Sequence, residues 1–179
     1  MSLEKYTDLE LTRLLKSLIL ERNDISQRYK EESFELINQF NLLPSVVEYE
    51  DIIRIERKTL DKLYDKLIED TQNYVRKIRV YYEQEVSKYQ ESIHNNFYTY
   101  SIDEFIDYAY EVSKFLEDNS LDLVHIGINQ ANIDKFNAQL FDLKKLNNEL
   151  TNKIKEWEEN RKSILTNIKF RIADLQSDK

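Results

Sequence analysis

From Phe136 onward the chain can be read in alternating steps of four and three residues without a break: Phe136, Leu140, Leu143, Asn147, Leu150, Ile154, Trp157, Arg161, Ile164, Ile168, Arg171 and Leu175. A 3.5-residue spacing held this long predicts one α-helix with a continuous seam along one face. The seam has to be covered by other helices. Apart from Arg171, these positions are the candidate interface and register residues.

The polar members qualify the seam. Asn147 stands where an apolar residue is expected, and a buried Asn at such a place lowers stability while fixing register and strand number. Arg161 and Arg171 are harder to bury. Each either reaches across the seam to a carboxylate or marks a place where the helix faces water.

Composition extends the helical reading to the whole chain. One Gly and one Pro in 179 residues leave few tight turns, and 41% apolar residues are too many for a disordered chain. The fold class expected is all-α, an elongated antiparallel helical bundle or coiled coil of three long helices plus one short helix. A single domain, 1–179, is expected, with helices at about 3–40, 46–95, 102–118 and 132–176.

Local signals set those boundaries. Leu11, Leu15, Leu18, Ile25, Tyr29 and Leu36 recur at helical spacing through the first helix. Pro44 ends it by biasing Leu43 out of the helical region. Ser45 with Glu48, and Ser101 with Glu104, have the spacing of capping boxes and start the next two helices. Tyrosines at 49, 64, 74, 81, 82 and 89 along the second helix read as packing at the margin of a thin bundle. The stretch 119–131 follows neither helical nor strand period and holds the only glycine, Gly127, so it is expected to be an irregular packed segment. Asn129 or Asn132 is the expected cap of the last helix.

Several chemistries are excluded or disfavoured. Without cysteine there is no disulfide, thiolate nucleophile or Cys-ligated metal, and one glycine cannot build a phosphate-binding loop. No window is apolar enough to span a membrane. An intracellular, cytoplasmic protein is expected.

Two pairs have the i, i+3 carboxylate–histidine spacing used by di-iron bundles, Glu91 with His94 and Asp122 with His125. The second falls in the irregular segment, and the acids that do stand in the seams, Glu85 and Glu32, lack any matching pattern. Two ordinary histidines near helix ends are the preferred reading, with no metal, cofactor, catalytic residue or small-molecule substrate expected. Acidic pairs such as Glu31–Glu32 and Glu158–Glu159 read as solvated helix faces.

The formal charge of −8 disfavours nucleic acid. From Asn132 to the end, however, ten Lys/Arg face eight Asp/Glu, leaving sixteen against twenty-six before it. The function expected is a non-enzymatic coiled-coil interaction and oligomerisation module, a homodimer serving as scaffold, spacer or tether within a larger protein or complex. Lys144, Lys145, Lys153, Lys155, Lys162 and Lys169 motivate an alternative, a curved helical dimer on a membrane surface, against which the net charge argues. A metal-binding helical bundle is the second alternative.

Overall fold

A computed structural model describes residues 3–82, 97 and 99–177. Among them every regular element is helical: a 3₁₀ turn at Leu3–Lys5, then α1 (Asp8–Glu21), α2 (Gln27–Leu42), α3 (Val46–Tyr82), α4 (Ile102–Asp118), α5 (Ser120–Leu123), a second 3₁₀ turn at Val124–Ile126, and α6 (Gln130–Ser177). The chain packs as two compact units, one of residues 1–52 with 152–179 and the other of residues 53–151.

In the first unit, the single helix expected over 3–40 is corrected to two. Arg22 leaves the helical region as the C-cap of α1, and Ser26 caps α2 by accepting from the Tyr29 amide. The physical reason lies in Asn23, Asp24 and Ser26, whose short polar side chains compete for backbone hydrogen bonds. The Arg22 guanidinium holds the break, pairing with Asp24 and donating to the Leu175 carbonyl at 3.1 Å. That carbonyl lies in the last turn of α6, where helical acceptors lack intrahelical partners. A second start signal precedes α1: Thr7 and Glu10 form a reciprocal capping box.

The core of this unit is mostly aliphatic. Leu11, Leu15 and Ile19 of α1 and Ile37 of α2 close on Ile164, Ile168, Ile172 and Leu175 of α6. Contacts fix the directions: Asp8 meets Arg161 and Arg22 meets Leu175, so α1 runs with α6. Tyr29 meets Asp174 and Phe40 meets Arg161, so α2 runs against it.

In the second unit aromatic rings join the aliphatic core. Tyr64 meets Phe105 edge to face at 5.1 Å, Tyr74 meets Phe136 at 5.3 Å, and Tyr82 meets Phe115 at 5.8 Å. Around these rings Leu67, Val75 and Ile78 of α3, Val112 and Leu116 of α4, and Ile133, Leu140 and Leu143 of α6 are all buried. The Ser101–Glu104 box starts α4 as expected. Tyr64 and Tyr74 are half-buried, but their hydroxyls donate to the carbonyls of Tyr100 and Asn132, as the half-buried Tyr49 of the first unit does to that of Lys153. Tyr82 is buried outright. Residues 83–95 of the long second helix, with Tyr89, Glu91 and His94, lie outside the described residues.

The irregular segment expected at 119–131 is corrected to short helical pieces. Asn119 ends α4 and starts α5, and the chain then turns at Gly127, whose φ of 75° lies in the left-handed region. That angle is open to Gly at little steric penalty. Asn129 and Asn132 bond each other's amides at 3.0 Å, so α6 begins at Gln130, two residues before the expected start.

Candidate functional site: the surfaces of the long C-terminal helix

α6 is a 48-residue helix, and its expected seam can be followed position by position. In the second unit Phe136, Leu140, Leu143 and Leu150 are buried. In the first unit Ile164, Ile168 and Leu175 are buried, while Ile154 and Trp157 are half-buried. The seam is thus largely occupied within the chain itself. One core residue lies outside the 3.5-residue register: Ile172 is fully buried. Its signal was a step of four from Ile168 instead of three.

Asn147 is half-buried. Its side-chain amide donates to Asp103, in the first turn of α4, at 2.7 Å. The acceptor there is solvent-exposed, which makes the bond a modest one.

Both arginines reach across to carboxylates. Arg161 pairs with Asp8 at 2.7 Å and lies over the Phe40 and Trp157 rings, with its side chain 15% exposed. Arg171 pairs with Glu32 at 2.8 Å, donates to the Ser33 hydroxyl at 2.9 Å and to the Tyr29 carbonyl at 3.3 Å, and stacks on the Tyr29 ring at 4.5 Å. Each guanidinium therefore has an ionic partner, hydrogen-bond acceptors or an aromatic face, which is what lets it sit at a mostly apolar contact. Trp157 stacks face to face on Tyr49 at 4.1 Å.

Two open grooves flank α6. In the first unit a groove of about 830 Å³ lies between α2 and α6. Glu31, Glu32, Glu35 and Leu36 form one wall, and Phe170 and Arg171 the other. In the second unit a groove of about 330 Å³ lies between α4 and α6, lined by Tyr110, Lys114, Leu140 and Phe141 among others. At each groove α6 supplies an exposed phenylalanine, Phe170 at 72% and Phe141 at 62%. Neither groove was foreseen. Its walls come from helices distant in sequence, and Glu31–Glu32 had read as a solvated face.

Groups with shifted proton affinity have structural explanations. The Thr7, Ser45 and Ser101 backbone amides hold Glu10, Glu48 and Glu104 below the ordinary glutamate value. Hydrogen bonds from Arg171 and then Arg28 do the same for Glu32, and one from Arg22 lowers Asp24. Burial, reinforced by the hydrogen bond to Asp174, pushes the Tyr29 hydroxyl up to about 12.

Asp122 lies in α5 and His125 in the 3₁₀ turn after it. Among the described residues no group of three or more His, Asp or Glu side chains is placed to hold a metal ion. No described helix is long and apolar enough to cross a membrane. No family model, curated protein or solved structure matches the chain.

Proposed function

We propose that the chain is a non-enzymatic interaction module, an antiparallel coiled-coil bundle that joins or spaces protein partners and associates with itself. One observation carries the reading: α6 spends its apolar seam within the chain yet leaves an exposed phenylalanine at the edge of an open groove in each unit. Large aromatic side chains beside open grooves are the anchors that protein interfaces use. The perturbed carboxylates support the same reading, since capping and ion pairing account for them. Asn147, committed to Asp103, is available only at its margin for pairing with another copy.

Light scattering at micromolar concentration tests the self-association. The expected result is a mass above the 21.7 kDa of one chain. Phe141→Ala is expected to reduce it. A mass of one chain for the unaltered protein removes self-association from the proposal.

A further inference from the structure

The α2–α6 groove has a charge that selects its occupant. Glu31 and Glu35 stand one turn apart on α2 and line the same wall. Among the described residues each accepts only an amide hydrogen bond, from Gln27 at 2.9 Å and Gln39 at 3.3 Å. The third glutamate, Glu32, is already paired with Arg171 and Arg28. Among the described residues Arg171 is the one cation lining the groove, and its charge is committed to Glu32. Two carboxylates therefore face the opening without a cation, beside the exposed Phe170 ring and the edge of Leu36.

We propose that this groove receives a cationic amphipathic segment of a protein partner, with lysine or arginine heads on Glu31 and Glu35 and an apolar side chain on Phe170. The inference rests on reading the chain as an interaction module and names the chemistry of one partner. An open groove suits an extended or helical peptide better than a small molecule, which needs enclosure. Long basic side chains fit both walls, because their methylene stems lie on apolar surface while their heads reach acid. Nucleic acid and anionic lipid are repelled by the same two carboxylates, and a second copy of a chain with net charge −8 meets that repulsion too.

The test is fluorescence anisotropy with a labelled amphipathic helical peptide of lysine and leucine, about fourteen residues or roughly 20 Å long. A peptide with glutamate in place of lysine and a scrambled lysine–leucine peptide serve as comparisons. The amphipathic cationic peptide is expected to bind tightest, and more weakly as salt rises. Glu31→Lys with Glu35→Lys is expected to weaken it about tenfold, since reversal turns two attractions into repulsions of similar size. Phe170→Ala is expected to weaken it several-fold, whereas Glu158→Lys with Glu159→Lys, an exposed acidic pair on α6, leaves it unchanged.

Equal loss from both charge reversals overturns the proposal in favour of non-specific attraction. Binding of the glutamate peptide that depends on Phe170 also overturns it, but leaves the groove an interaction surface. A dimer that Glu31→Lys with Glu35→Lys dissociates, with no peptide bound, assigns the groove to a second copy. Absence of any Phe170-dependent binding, peptide or self, overturns both this inference and the use of this groove in the proposed function.

Discussion

Between residues 130 and 151 α6 is held by apolar packing with aromatic rings and by side-chain amide hydrogen bonds, whereas between 152 and 177 it is held by aliphatic side chains, the Tyr49–Trp157 stack and arginines. In the second unit Phe136 meets Tyr74 edge to face, and Asn137 joins the Ser113 hydroxyl to Glu117. In the first unit Arg161 and Arg171 each pair with a carboxylate from another helix, and Arg22 closes on the last turn. One helical seam is thus held mainly by packing and amide hydrogen bonds in one unit and with added ion pairs in the other. The two units should respond differently to the same insult.

Truncation of the core gives the largest effect. Phe136→Ala is expected to lose about 3–5 kcal/mol and Ile168→Ala about 2–5 kcal/mol, because both side chains are buried and their removal leaves cavities. Denaturant unfolding measures the losses. Methyl resonances of Ile133 and Ile172, buried in the second and first unit respectively, show where each is felt. Selective disturbance of the altered unit supports the contrast, and equal disturbance of both breaks it.

Arg171→Met comes next. Methionine keeps an apolar stem beside Tyr29 but removes the bonds to Glu32, Ser33 and the Tyr29 carbonyl. With the side chain 18% exposed, the expected loss is about 1–2 kcal/mol. Added salt should lower the stability of the unaltered first unit and affect the variant less. A variant as salt-sensitive as the parent would mean that Arg171 acts through packing alone.

The helix starts, the turn and the seam could be read beforehand, and the reason is local. The boxes at Ser45–Glu48 and Ser101–Glu104, the Asn129 cap and the turn at Gly127 depend on residues within one helical turn of each other. The burial of Phe136, Leu140 and Leu143 follows from periodicity alone. The break after α1 was hidden because Ile25 and Tyr29 keep the helical spacing across it. The residue that secures it, Arg22, acts on Leu175, 153 positions away. The acidic groove was hidden for the same reason, since Glu31 and Glu35 become a wall only when Phe170 is opposite them.

Acid should separate the units with a smaller effect. Glu10, Asp24, Glu32 and Glu48 of the first unit are held below their ordinary values, against Glu104 in the second. A lowered folded-state value means that the folded state favours the carboxylate. The stability is then fully present above the ordinary values of 4.5 for Glu and 3.8 for Asp, and is lost as the pH falls through the lower folded values. Methyl resonances of Ile168 are therefore expected to broaden or shift at a higher pH than those of Ile133. Glu32→Gln with Glu48→Gln should narrow the gap. Simultaneous change in both units would show that the ionic contacts of the first add nothing below neutral pH.

The smallest expected effect belongs to Asn147→Leu. Asn147 lies in the second unit, where its partner Asp103 is exposed, so exchanging one hydrogen bond near water for apolar packing should change stability by no more than about 0.5 kcal/mol. The mass measured by light scattering should not change. A coiled-coil register residue behaves otherwise: replacing a buried Asn by Leu in a seam shared between chains raises stability and alters the number of strands. A change of mass in Asn147→Leu would therefore place this position in a contact with another copy, and make the seam of the second unit an interface as well as a core. An unchanged mass leaves Asn147 as a rim contact that orients α4, with self-association confined to the exposed faces of α6.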